Sequence, residues 1–182
     1  METNRTNLSL EDCRKLIRDI PDFPKKGVVF KDITPLLGNG PCFQEVVDQI
    51  ASLCALHELK PDLLACPEAR GFIFGSALAY QMGIGMVPIR KPGKLPYETC
   101  SMEYSLEYGK DSVEMHIDAI QPGQNVVLVD DLLATGGTIA ACAELIESRG
   151  ARVSGCLFLV ELEFLKGRSK LEKYPTYSLI SY

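Results

Sequence analysis

Apolar positions along this chain alternate between two periods. Leu63 to Cys66, Met86 to Ile89, Val126 to Val129 and Cys156 to Val160 are short, almost unbroken apolar runs. Runs of that length suit strands buried on both faces, the usual state in a parallel sheet. Between them, Phe72 to Met82 and the stretch from Thr138 to near Gly150 read as helices. Strand-helix alternation predicts an α/β fold with a mostly parallel central sheet, helices on its flanks and right-handed crossovers.

The N-terminal part has a different rhythm. Ser9 can cap a short helix in which Leu10, Cys13, Ile17 and Ile20 recur at helical spacing. Pro21, Pro24 and Gly27 mark turns, and Val28-Val29-Phe30 is a brief apolar strand. Pro41 fits the first turn of a second helix, with Phe43, Val46, Val47, Ile50 and Cys54 forming a core-facing stripe. After Arg90 the chain turns polar and aromatic, as a pair of hairpin strands or a mobile loop would, and Val113 to Ile117 alternates weakly. With no repeat or linker, residues 1–182 read as a single domain.

Composition narrows the possible partners. A 182-residue chain with 46% hydrophobic residues is long enough for one well-buried α/β domain. A net charge of −5 and the lack of any Lys/Arg-rich run argue against a nucleic-acid binder. The seven cysteines form no CxxC pair, which fits free thiols in a reducing cytosol. Residues 71–89 are uncharged, yet Ser76, Gln81, Gly83, Gly85 and Pro88 break them into a helix, a turn and a strand rather than a membrane span. Glu2 to Glu11 is polar and lacks a signal-peptide pattern, so the expected location is cytoplasmic.

The most specific chemistry follows the Val126 strand. Asp130 and Asp131 stand at its end, the edge where open α/β sheets bind ligands. Leu132 and Leu133 lead into Ala134-Thr135-Gly136-Gly137-Thr138, a loop with little side-chain bulk before a helix. Its N–H groups can close round an anion at the positive end of that helix. Carboxylates for hydroxyls beside a phosphate cradle describe a site for a ribose 5-phosphate. An ordinary strand, turn and helix would explain the strand and the turn, but not paired carboxylates joined to Thr-Gly-Gly-Thr. A second cluster, Glu68-Ala69-Arg70-Gly71, offers N–H groups and an Arg fork for another anion. A third, Arg90-Lys91-Pro92-Gly93-Lys94, concentrates positive charge that an acidic chain needs for a polyanionic ligand. There is neither a G-x-x-x-x-G-K-[ST] loop nor a G-x-G-x-x-G. His57 and His116 are the only histidines and support no triad or zinc site.

Four apolar residues, two acidic ones and a small-residue loop resemble the signature of the type I phosphoribosyltransferases, and DDLLATGGT looks most like the adenine-using members. The resemblance runs from about Phe23 to Leu179 and includes Arg90 to Lys94 and Ser105-Leu106-Glu107-Tyr108-Gly109-Lys110. It implies that the chain moves the phosphoribosyl group of 5-phosphoribosyl 1-pyrophosphate (PRPP) to adenine, giving AMP and pyrophosphate. The roles it implies are residue by residue. Asp130 and Asp131 hold the ribose, and Ala134, Thr135, Gly136, Gly137 and Thr138 hold the 5-phosphate. Glu68, Ala69, Arg70, Arg90, Lys91 and Lys94 meet the pyrophosphate, in a loop that often has a non-proline cis peptide. Glu107 handles a proton of the purine imidazole ring, and Tyr108 covers the reacting centre. A hood over about residues 1–35 reads the base, with Phe30 stacking and the main chain of Val29 and Lys31 pairing with its edge. Mg²⁺ is expected to arrive with the donor, and a homodimer is the expected assembly. Phosphoribosyl transfer to another base, or a PRPP-sensing regulator without chemistry, are the alternatives left by the residues.

Overall fold

The computed structural model describes residues 8–106 and 109–182. They fall into two compact units, Met1–Gln49 and Ile50–Tyr182.

The first unit opens with α1 (Leu10–Arg14), capped by Ser9. The Ser9 hydroxyl accepts from the Asp12 N–H, and the Asp12 carboxylate accepts from the Ser9 N–H, both at 3.2 Å. This reciprocal box satisfies two N–H groups that a helix end leaves over. The helical spacing extends to Ile20, but the helix stops at Arg14. Ile20 instead lies on β1 (Arg18–Pro21), opposite Phe30 of the antiparallel β2 (Val29–Asp32). Pairing with a partner strand overrides the local period there. After α2 (Thr34–Leu37), α3 (Gly40–Leu56) has Pro41 in its first turn, as its missing N–H favours. Val46, Val47, Ile50 and Cys54 of α3 are buried.

The second unit is built on five parallel strands. In chain order come β3 (Leu63–Pro67), α4 (Gly71–Met82), β4 (Gly85–Ile89), β5 (Thr99–Leu106), β6 (Gly109–His116), β7 (Asn125–Leu133), α5 (Gly137–Glu147), β8 (Arg152–Glu161) and β9 (Thr176–Ser181). The sheet order is β4-β3-β7-β8-β9, every neighbour parallel. The mostly parallel α/β sheet expected from the alternation is present, and β9 extends it by a strand that the apolar pattern did not reveal. β5 and β6 form a separate antiparallel hairpin, one of the two forms open to the polar segment after Arg90.

β7 also runs past Val129, because the long β8 goes on pairing with it up to Leu133 opposite Glu161. Asp130 and Asp131 are therefore inside the strand rather than beyond its tip. The uncharged stretch 71–89 resolves into α4, a turn at Gly83 and β4. Among the described residues, no helix is long and apolar enough to cross a membrane. All seven cysteines are free. Burial pushes the thiol of Cys13 up to about 12 and that of Cys54 up to about 11. The His57 ring stacks on Tyr177 at 3.8 Å.

The order of connections places the site. From β3 the chain crosses by α4 to β4 on one side, and later returns as β7 on the other. The carboxyl ends of β3 and β7 therefore flank a topological switch point, where α/β sheets open a crevice.

Candidate active site

That crevice is a cavity of about 220 Å³ lined by Pro67 to Arg70, Lys91 and the continuous run Asp130 to Ile139. Two of the sequence clusters, 68–70 and 130–138, thus meet with Lys91 in one chamber.

Asp131 forms its floor. Only 4% of the residue is exposed, and its Oδ2 lies 3.0 Å from Arg70 Nε. Asp130 Oδ1 accepts from the Asp131 N–H at 2.9 Å. The start of α4 presses on the same carboxylate, since a Cβ at Gly71 would stand 2.9 Å from Asp130 Oδ1 and 3.1 Å from Val129 O. Burial, reinforced by the charge of Asp131, raises the Asp130 carboxyl well above its ordinary value. Burial also raises Asp131, with Arg70 opposing the shift. The pair is thus short of solvation, and hydroxyl donors would relieve it.

The phosphate-loop segment owes its shape to a second close approach. Gly136 has φ +75, a conformation side chains disfavour, and a Cβ there would collide with Gly167 O. A Cβ on Gly167 would in turn collide with Ala134 O. Two backbones can touch only because both residues lack side chains. α5 then begins at Gly137, and its hydrogen-bond ladder starts with Ala140 N–H donating to Gly136 O at 3.0 Å. The N–H groups of its first turn have no acceptor within the helix. No acidic side chain occupies that turn, so nothing of like charge competes with an anion there.

Glu68 organises the cationic segment. Its peptide bond to Ala69 is cis, and its N–H donates to Ile89 O at 2.9 Å. Its carboxylate accepts from Arg90 Nε at 2.8 Å and the Lys91 N–H at 2.9 Å, with Lys94 Nζ 3.5 Å away. Burial works against that charge, but the Lys91 N–H and Arg90 outweigh it and hold the carboxyl below its ordinary value. Arg90 and Lys94 do not line the cavity; they stand behind Glu68.

Lys91 reaches further. Its Nζ donates to Tyr104 Oη at 2.7 Å and pairs with Asp111. Tyr104 Oη donates to Asp111 Oδ2 at 3.0 Å and accepts from Thr138 Oγ1 at 3.2 Å. A chain of polar contacts therefore joins the cationic segment, the hairpin and the phosphate loop. Asp111 is held below its ordinary value mainly by Lys91. Sequence reading passed over Asp111. Its only signal is the hairpin register, which sets Tyr104 directly opposite it.

Glu107 and Tyr108 are outside the described residues. Val29, Phe30 and Lys31 sit on β2 in the first unit. Phe30 meets Phe23 edge-on at 5.2 Å, Val29 is 48% exposed, and Lys31 Nζ donates to Asp19 at 2.7 Å. Among the described residues, no group of three or more His, Cys, Asp and Glu side chains could hold a metal ion.

Comparison with known proteins agrees with this geometry. The phosphoribosyl transferase domain family matches residues 37–180. The chain is 57% identical to the adenine phosphoribosyltransferase of Thermoanaerobacter pseudethanolicus over 96% of its own length and 100% of that protein. The crystal structure of that enzyme superposes with a TM-score of 0.92, again at 57% identity and covering 96% and 100% of the two chains. The Saccharomyces cerevisiae adenine phosphoribosyltransferase, complexed with adenine and an imino-altritol bisphosphate, is 41% identical with a TM-score of 0.86, covering 93% and 97%.

Proposed function

This chain belongs to the adenine phosphoribosyltransferase family, and from that premise we propose that it transfers the phosphoribosyl group of PRPP to adenine, releasing AMP and pyrophosphate. The observation that carries the reading is one cavity in which a carboxylate pair, buried at Asp131, stands between two places for anions. Asp130 and Asp131 accept from the ribose hydroxyls and face the positive charge that develops at the ribose C1 as pyrophosphate leaves. Ala134 to Thr138 grip the 5-phosphate through N–H groups and hydroxyls, binding energy realised away from the bond that breaks.

The backbone at Glu68 and Ala69, with Arg70 and Lys91, takes the pyrophosphate. Arg90 and Lys94 keep positive charge behind it. Arg70 exchanges its contact with Asp131 for donor oxygens. Glu107 manages the proton on the purine imidazole ring, and Tyr108 closes over the centre to exclude water, which would otherwise hydrolyse the donor. Phe30 stacks on adenine, while the main chain of Val29 and Lys31 reads its edge.

Mg²⁺ accompanies the donor. Two of the three carboxylates that line the cavity are already tied, Asp131 to Arg70 and Glu68 to Arg90 and the Lys91 N–H, which fits an ion held by PRPP oxygens and water better than a protein cage. When bound, it supplies charge neutralisation on the leaving pyrophosphate. A cytoplasmic homodimer completes the proposal. α4 is apolar round much of its surface and leaves Ile73 and Tyr80 exposed, as a helix awaiting a partner does.

Formation of AMP from adenine, PRPP and Mg²⁺ tests the reading. Faster turnover of hypoxanthine, guanine or orotate would replace the base assignment. Tight PRPP binding without product would make the chain a sensor. Sedimentation of the purified protein tests the dimer.

A further inference from the structure

The cavity has no surplus of positive charge to meet a 5-phosphate. Glu68, Asp130 and Asp131 line it, against Arg70 and Lys91 as the cations. Arg70 is paired with Asp131 and Lys91 with Asp111, both on the side of the 68–70 loop and the hairpin. The segment Ala134 to Thr138 has no charged side chain of its own. A phosphate dianion there would meet helix dipole and N–H groups, while the Lys91 ammonium, which reaches toward Thr138 through Tyr104, is already paired with Asp111.

A second ammonium stands beside that loop. Lys170 Nζ lies 3.6 Å from the place a Cβ on Gly137 would occupy, and the Tyr104 ring lies 3.7 Å from the same point. Lys170 is exposed, and no ion pair engages it among the described residues. It ends a 3-10 turn, Gly167–Lys170, whose first residue is the glycine wedged against Ala134 and Gly136. Arg168 of the same turn is anchored at several points. It donates to Glu161 at 2.7 and 2.6 Å and to Ser178 Oγ at 3.0 Å. The turn is therefore fastened on both sides of its backbone, and the flexible lysine stem at its end flanks the phosphate loop.

We propose that Lys170 is a further binding residue of this site, supplying the charged contact to the 5-phosphate of the donor and of the nucleotide product. The inference deepens the reaction assigned above and rests on its placing the 5-phosphate at Ala134 to Thr138. An ammonium offers three donors and a full charge on a stem that can swing to a phosphate oxygen. Glu161 and Arg168 are positioning residues that act through the turn.

Calorimetric titration with ribose 5-phosphate, with ribose as the unphosphorylated comparison, tests the contact independently of the base. Lys170→Met is expected to weaken ribose 5-phosphate about tenfold and to raise KM for PRPP similarly, the scale of one charged hydrogen bond. Pyrophosphate affinity and turnover at saturating PRPP should stay within about twofold of the parent. Lys170→Arg should recover most of the loss. Unchanged ribose 5-phosphate affinity in Lys170→Met, at parental thermal stability, overturns the contact. An equal loss in Lys166→Gln, in the same stretch, also overturns it, because a general field rather than a contact would then be at work. A parent that binds ribose 5-phosphate yet forms no AMP would undo the reaction assigned above and leave this contact standing. A parent that binds ribose 5-phosphate no better than ribose overturns both.

Discussion

Arg90 reaches Glu68 from two of its nitrogens, Nε at 2.8 Å and Nη2 at 2.7 Å, so an acidic side chain sets the geometry of the cationic segment. The other oxygen of the same carboxylate accepts from the Lys91 N–H, which aims the lysine stem toward Tyr104. An acid among groups meant for a polyanion is unfavourable in charge alone. It is favourable as a template, because it fixes two mobile cations before the ligand arrives.

Glu68→Gln tests that template. The amide keeps an acceptor for the Lys91 N–H but loses its charge toward Arg90 and Lys94. Product inhibition by pyrophosphate is expected to weaken about tenfold, with KM for adenine unchanged. Tighter pyrophosphate binding in the variant would mean that Glu68 merely repels the ligand.

Asp130 makes a prediction about stability and pH. Its carboxyl is raised well above the ordinary value by burial and by Asp131, so the folded chain holds that proton more firmly than the unfolded one. Stability contributed by this group therefore falls as pH rises from the unfolded value, about 3.9, through the raised folded value. Asn carries no such proton. Asp130→Asn should melt higher than the parent at neutral pH, with the gap closing on acidification to about pH 4. A gain of about 1 kcal/mol would move Tm by about 2–4 °C. Thermal unfolding across pH measures it, and a lower Tm at neutral pH would contradict it. Activity should fall all the same, as groups kept at a cost in stability for function predict.

Glu161 has the opposite sign. It is 3% exposed, and although burial opposes its charge, Arg168 and Ser178 hold its carboxyl below the ordinary value. That stabilisation is present above the unfolded carboxylate value and is lost as pH falls through the folded one. Arg168→Met leaves the charge buried with the Ser178 hydroxyl as its remaining contact. The expected loss is about 3 kcal/mol, the low end for a broken buried pair because the guanidinium is half exposed. Denaturant unfolding at neutral and acidic pH reads it: the deficit should narrow in acid, and a deficit independent of pH would assign it to packing.

Glu107 and Asp131 separate chemistry from binding. Glu107→Gln is expected to lower turnover about 10²–10⁴-fold while PRPP affinity changes little, the pattern of a proton-transfer group. Asp131→Asn should damage both, since it also releases Arg70 from its ion pair. Small and equal effects on turnover in the two variants would remove both residues from the reaction.

Much of this site was legible in the chain because its groups are contiguous. Val126 to Thr138 spells out a strand, two carboxylates and a loop in order, and Asp130 to Thr138 line one wall of the cavity. Arg70 and Lys91 could be read because each follows a buried apolar run, and all such runs end at one sheet edge. Asp111 was not legible, because its place depends on the register of a hairpin. Lys170 was not, because it arrives from a turn over thirty residues after the loop. Ile20 misled for a related reason, since its partner Phe30 lies across a turn that helical spacing does not register. β9 escaped notice because Tyr177 and Ser178 break its apolar pattern at an edge where one face suffices. What depends on periodicity or adjacency was visible; what depends on a distant partner was not.

The contact between Gly136 and Gly167 bears on how the enzyme is made. A ribosome delivers the phosphate loop before the turn that braces it, and β9, which completes the sheet beside β8, follows later still. An excised strand, loop and helix covering 125–147 would carry every group of the signature and lack its brace. Nascent or truncated chains ending before Gly167 are thus expected to stay without phosphate affinity, and competence comes only once the turn at Gly167 has been made.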